Sequence, residues 1–355
     1  MATAEAQRET ARSASPRAES PRHRSAGRRL LEAFEAFEQF PVFVSAREEL
    51  VDAAYGYRIG GDVTATVESD LALTVAVLRR ANDGTARADQ VATVPDALAR
   101  IGKEGLREIV EAAPSFDLFQ QSGLWRGAPQ SHRVHALATQ RAAARVSAEV
   151  AYEHADELYV ASLLHDIGKI VLAYADERYA GIDVVTDLSP DRRIELEQRE
   201  MGVDHALVGG VLARRWALPH QLAHAIERHH QPSETGLPAM VRLADMIARF
   251  EAGNPVSGKS MQSAAANVGI SMRALRSLLS LAPTRERRSA VPSPLTRREQ
   301  SVVAELGKGL VYKEIALELG LSASTVRTHL YNVYRKLGVA DRAQAILLAR
   351  ENNWI

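Results

Sequence analysis

The 355-residue chain contains no cysteine. That excludes disulfides, thiolate metal ligands and thiol nucleophiles together, and nothing points to an oxidising compartment. Aromatic residues make up only 5% of a chain that is 46% hydrophobic. The apolar mass is therefore largely aliphatic and alanine-rich, which favours packed helices over sheets. The first residues are polar and arginine-rich, without the apolar stretch of a signal peptide. No run stands out as the roughly 18 apolar residues of a membrane span, so a cytoplasmic protein with no membrane partner is expected. Net charge is missing too, with 44 Lys and Arg against 44 Asp and Glu.

That balance is uneven along the chain. Residues 1–30 hold seven Arg against three Glu, and residues 285–355 hold twelve Lys or Arg against seven Asp or Glu. The middle is correspondingly acidic. A basic C-terminal end on an acidic body suits a polyanion partner at that end only. Four regions are expected: a disordered tail over 1–29, a helical domain over 30–283, a linker over 284–293 and a compact module over 294–355. The tail is rich in Ser, Ala, Arg and Pro and has too little apolar surface to offset ordering entropy. In the middle, "SDLALTVAVLRRAND" places Leu71, Val75, Leu78 and Asn82 at helical spacing, with Ser69 or Asp70 to cap the start. Four further stretches read the same way, and runs of β-branched residues are short and isolated. The expected fold class is all-α, a helical bundle followed by a small four-helix module.

The C-terminal module has a readable grammar. Thr296 with Glu299 forms a capping box that starts one helix, and Gly307 and Gly309 end it. "YKEIALELG" is a short amphipathic helix closed by Gly320, and Ser322 caps the next, whose inner stripe is Val326, Leu330, Val333 and Leu337. Two short helices around such a turn are a helix-turn-helix, whose second helix can enter a major groove. Thr325 and Arg327 are placed for groove contacts and Lys313 for a phosphate. The motifs "LT.RE", "KEIA..LG.S..TV..H" and "KLGV..R..A" resemble the LuxR-type DNA-binding domain throughout 294–355. The resemblance implies that Lys313, Thr325, Val326, Arg327, His329, Asn332 and Lys336 lie on or near double-stranded DNA. It also implies dimerisation through the last helix, "RAQAILLAREN".

Among eleven histidines, several are arranged as a set. In "LLHDIGK", His165 and Asp166 are expected side by side on one helix, about 100° apart in projection, able to converge on one ion. His135, His205, the pair His229-His230 and Asp245 stand on other helical stretches, and a bundle can aim such residues inward. Lys169, three residues after Asp166, can contact a phosphate or pair with Asp166. In order, His135, His165-Asp166, His229-His230 and Asp245 resemble the HD superfamily of metal-dependent phosphohydrolases, which implies one or two divalent metal ions. Residues 35–250 resemble more closely its HDOD branch, through "FPVFVSAREELV", "DLALTVAVLRRAND", "VPDALARIGKEGLREIV" and "LLHDIGKIVL" followed by "EREMGVDHALVGGVLARRWALPHQLAHAIERHH". HDOD domains are regarded as non-hydrolytic signalling relatives of HD-GYP phosphodiesterases. After His229-His230 the chain reads "QPSETGLPAM", without the glutamate and Gly-Tyr-Pro signature of those enzymes. The expected function is a homodimeric transcription regulator whose HDOD domain senses a nucleotide second messenger or a signalling protein. The alternative is a metal-dependent phosphohydrolase acting on a cyclic dinucleotide or guanosine polyphosphate and localised by its DNA-binding domain.

Overall fold

The computed structural model describes residues 21–37, 63–112, 130–176, 188–281 and 293–355, apart from 309, 340, 341 and 353, together with the short pieces 42–43, 115–116, 178–179 and 182. The first helix, α1 (Pro21–Ala36), reaches back into the stretch expected as a tail. Ala33, Phe34 and Phe37 are buried, and α1 packs on a later helix of the bundle. With that stripe anchored, the arginines and alanine before it continue the helix at little cost. The rest of the expected tail lies outside the described residues, as do most of "FPVFVSAREELV" and of the expected linker.

The bundle continues with α2 (Val63–Glu68), α3 (Leu71–Asn82), α4 (Val94–Ala112), α5 (Gln130–Val150), α6 (Ala155–Leu164), α7 (Ile167–Ala175), α8 (Pro190–Met201), α9 (His205–Arg215), α10 (His220–Arg228), α11 (Gly236–Glu251), α12 (Gly258–Asn267) and α13 (Met272–Leu281). Asp70 rather than Ser69 caps α3, accepting from the amides of Ala72 and Leu73. The architecture is all-α. One parallel rung departs from it, where β1 (Val42–Phe43) pairs with β2 (Ser115–Phe116). Long α5 lies against α6, α11 and α13, α9 lies against α7 and α10, and α10 joins the two groups by packing on α6 and α11.

One expectation about "LLHDIGK" is corrected. His165 and Asp166 do not share a helix; they form the turn between α6 and α7. His165 keeps helical angles, but Asp166 departs to φ −97°, ψ 10°, and its carboxylate makes no capping bond to the backbone of α7. The side chain is therefore turned into the bundle rather than used to close a helix end. The run Ala155–Ala175 is, by length and composition, apolar enough to cross a membrane, contrary to the sequence reading. Most of its residues are buried inside the bundle, so it serves as part of the core.

The C-terminal module contains α14 (Arg297–Gly307), α15 (Tyr312–Glu318), α16 (Ala323–Leu337) and α17 (Arg342–Glu351). The Thr296–Glu299 capping box is formed, Ser322 accepts from the Thr325 amide, and Gly320 takes φ +62° in the tight turn. Helix α17 has two sides. Ala345 and Ala349 pack with Leu295, Val303 and Val333 in the module's own core. Ile346 and Leu347 join the larger apolar cluster that runs through the bundle, and α17 lies against α5.

Candidate metal centre and DNA face

Five elements bring the seven expected ligands together. His135 comes from α5, His165 and Asp166 from the α6–α7 turn, His205 from the first position of α9, His229 and His230 from the end of α10, and Asp245 from α11. Asp204 caps α9 by accepting from the Leu207 amide, which fixes where His205 enters the bundle. Helices α7 and α9 approach closely at Gly168. A Cβ there would collide with the His205 carbonyl and sit 2.7 Å from the Gly209 amide nitrogen, so only glycine fits.

The donor atoms form two sets, each within 4.8 Å: Asp166, His205, His229 and His230 in one, His135, His165 and Asp245 in the other. Asp166 faces both. Its Oδ2 lies 3.6 Å from His135 Nε2 and 3.4 Å from His165 Nε2. Its Oδ1 lies 3.1 Å from His205 Nε2 and 3.8 Å from His229 Nε2. A carboxylate placed in this way has one oxygen for each set, so two ions could share it.

The histidines are held from behind. His165 Nδ1 donates to the Ser162 carbonyl at 2.8 Å and His229 Nδ1 to that of Ile226 at 2.7 Å. Each bond puts a proton on Nδ1, so that Nε2 presents an inward lone pair in the neutral ring, the form that binds an ion. His165 Nε2, His229 Nε2 and Asp166 Oδ1 are buried without a hydrogen-bond partner. Buried polar atoms of that kind are unfavourable unless something occupies the space between them. The residues fit a metal.

Sequence reasoning missed Glu197 on α8. It is fully buried and accepts from His205 Nδ1 at 2.6 Å, from the His205 amide at 2.9 Å and from the Tyr179 hydroxyl at 2.7 Å. This carboxylate orients the His205 ring toward Asp166, the usual support of a metal-binding imidazole. In sequence Glu197 sits in "RIELEQRE", where it looks like one more charge on a solvated helix. Arg249 was missed as well, and its Nε donates to Asp245 Oδ1 at 2.8 Å.

Burial dominates the electrostatics of the cluster. It drives His135 down to about 4 despite its bond to Asp245, and drives His229 down to about 3. Burial acts the same way on His165, but the carboxylates of Asp166 and Asp245 outweigh it and push the ring up to about 9. Burial would raise Asp166, yet His165 and Lys169 hold it well below the usual carboxylate range. Glu197 likewise resists burial through His205 and falls to about 2. Lys169 is buried and bonded to Asp166, so the pairing expected of it is made.

On the DNA side the expected residues divide. Lys313 and Arg327 are exposed, Arg327 lying 4.9 Å over the Tyr312 ring, and Thr325, His329 and Asn332 are half-buried along α16. Two of them also have roles inside the module. Val326 is fully buried in the inner stripe, because its place in the period faces α14 and α15, so it positions the helix. Lys336 pairs with Glu299 at 2.7 and 2.9 Å, which ties the end of α16 to the capping box of α14. Tyr331, 65% exposed, stands on the outward face of α16 beside these residues.

The family model of the HDOD domain matches residues 60–232, and that of bacterial regulatory proteins of the luxR family matches residues 293–349. The chain carries an HDOD domain followed by a LuxR-type DNA-binding domain. Asp245 lies beyond the matched part of the HDOD domain but completes its cluster. A transcriptional regulatory protein of Bacillus subtilis, YhcZ, is 51% identical over 59 residues, 17% of this chain and 28% of that protein. The HTH-type transcriptional regulator MalT of Serratia proteamaculans is 44% identical over 59 residues, 17% of this chain and 6% of that protein. The chain thus spans under a third of either relative. The MmoQ response regulator of Methylococcus capsulatus shares the fold over 67% of this chain and 97% of its own, with TM-score 0.52 and 22% identity. A virulence factor of Campylobacter jejuni does so over 71% and 98%, with TM-score 0.51 and 17% identity.

Proposed function

We propose that the protein is a cytoplasmic, DNA-binding transcription regulator whose HDOD domain binds one or two divalent metal ions and governs the LuxR-type domain. The DNA-binding part is supported by the match over residues 293–349 and by the exposed Lys313 and Arg327 of the helix-turn-helix. The observation that carries the metal-binding part is the set of inward, unpartnered atoms His165 Nε2, His229 Nε2 and Asp166 Oδ1, backed by carbonyls that fix the tautomers. A bound ion would supply Lewis acidity at this centre. The chain's own residues hold it in place: Asp166 joins the two sets, Glu197 orients His205, and Lys169 and Arg249 offset the carboxylates.

The centre favours binding over turnover. Only His135 among the seven has an exposed edge, its side chain 17% accessible, while the others are 8% or less. That closure weighs against the phosphohydrolase alternative, which needs a substrate at the ions. Helix α5 carries His135 and also lies against α17, so one rigid element spans from the cluster to the DNA-binding domain. Dimerisation through α17, with two half-sites read by two copies, would require that helix to leave α5. The division 30–283 and 294–355 around a linker is kept as part of the proposal.

The test is elemental analysis of the full chain, paired with an electrophoretic shift assay before and after chelation. Bound metal in wild type, its loss in the His165→Ala, Asp166→Ala double variant, and DNA binding that changes with metal content are the expected results. A metal-free protein whose DNA binding ignores added ions overturns the reading. Turnover of a cyclic dinucleotide or a guanosine polyphosphate would restore the enzyme alternative.

A further inference from the structure

Around the histidine cluster the bundle buries four basic side chains, Lys169, Arg193, Arg242 and Arg249, against three carboxylates, Asp166, Asp245 and Glu197. Lys169 feels Arg249 and Arg193 as repulsive neighbours, and Arg242 lies within electrostatic reach of Asp245. Arg242, Asp245 and Arg249 follow each other at i, i+3 and i+7 on α11, so they share the helix face that looks onto the centre. Three of the four cations have close partners. Lys169 bonds to Asp166, Arg249 to Asp245, and Arg193 donates to the Ile182 carbonyl at 3.3 Å.

Arg242 differs. Its residue is only 4% exposed, yet its Nη1 is buried with no hydrogen-bond partner. Its ion pair is loose, with Nη2 3.9 Å from Asp191 Oδ1, on a carboxylate whose side chain is 53% exposed. Water screens such a pairing. Burial pulls the guanidinium below its usual range, the direction expected of a cation short of acceptors. A guanidinium cannot shed its charge at ordinary pH, so the remedy is an acceptor brought from outside.

We propose that Arg242 forms an anion subsite at the rim of the HDOD centre, between α8 and α11, that takes a phosphate group. The proposal rests on the reading of the cluster as a ligand-binding centre and names the chemistry of its second ligand. Phosphate suits the site on two grounds. Its oxygens match the planar fork of an arginine bidentately. Its charge of about two also exceeds that of a carboxylate, which matters once a divalent ion is added to the buried excess of one cation. Asp191 occupies the entrance as a competitor that an incoming phosphate displaces.

The experiment uses the full-length protein, with inorganic phosphate and a nucleoside 5′-diphosphate as probes and the parent nucleoside as control. Binding is followed by calorimetry and thermal unfolding, and metal content is measured on the same samples. Wild type is expected to bind both phosphate probes and not the nucleoside. Arg242→Gln is expected to weaken both at least tenfold at unchanged metal content, and Arg242→Lys to recover part of the loss. Asp191→Asn is expected to tighten both several-fold by removing the competing carboxylate, which decides the matter should Arg242→Gln fail to fold. A diphosphate bound more tightly than inorganic phosphate assigns the group to a nucleotide; equal binding assigns it to free phosphate. No binding of either probe, or equal binding by wild type, Arg242→Gln and Asp191→Asn, overturns the proposal. Phosphate binding without any metal would leave the subsite standing and remove the metal reading.

Discussion

At the centre of the HDOD domain, Asp166, Lys169, Asp245 and Arg249 are held out of water and answer one another across helix boundaries. In the LuxR-type domain, Lys313, Arg327 and Arg335 stand exposed on α15 and α16. The same residue types are used for different ends. Buried charges need fixed partners, so their positions are set by the whole bundle, and removing one harms the others. Exposed charges remain hydrated and adjustable, as suits contacts with a polyanion whose counterions they displace. Val326 and Lys336 show how thin the boundary is: both lie in the recognition helix, yet one is core and the other a brace.

The contrast can be broken by substitution. Asp166→Ala should have the largest effect, since it leaves Lys169 buried and unpaired at a cost of about 3–5 kcal/mol. Denaturant unfolding would show it; a loss under 1 kcal/mol would mean that the centre is hydrated. Gly168→Ala should cost about 3 kcal/mol, the upper part of the range for overpacking, because the colliding atoms are backbone.

A pH series sharpens the same side. Glu197 is held at about 2 in the folded protein against a model-compound value of 4.5. The stability it contributes in metal-free protein is therefore complete above about 4.5 and lost as pH falls toward 2, in total on the order of 3 kcal/mol. Glu197→Gln should flatten that part of the curve. On the exposed side, Arg327→Ala should weaken specific DNA binding by about 1–3 kcal/mol and relax preference at one position, whereas Lys313→Ala should weaken all sequences alike and lower the salt slope by about one. Equal behaviour of the two would end that division of labour. Lys336→Met should have the smallest effect, about 0.5 kcal/mol of stability with the salt slope unchanged.

How far the sequence could be read depended on how local each feature is. The C-terminal helices were legible because their signals lie within a few residues: Thr296 with Glu299, Gly320 at a left-handed turn, Ser322 ahead of α16. The ligand set was legible as residue types but not as geometry. Spacing placed His165 and Asp166 on one helix, while packing opened a turn between them. Pro21 as a helix start went unread because the stripe that anchors α1 begins only at residue 30. Glu197 and Arg242 went unread because each looks like an ordinary surface charge until α8 and α11 are brought to the centre.

By itself, the sequence determined an all-helical chain, a helix-turn-helix with its caps, and the stock of imidazoles and carboxylates for a metal centre. These follow from periodicity, capping chemistry and composition, which act over a few residues. Tertiary structure alone decided that Asp166 faces two ligand sets, that Glu197 fixes His205, that Val326 and Lys336 belong to the framework, and that α17 rests on α5. Each of those depends on which helices meet, and burial then sets whether a charge is solvated, paired or left waiting for a partner.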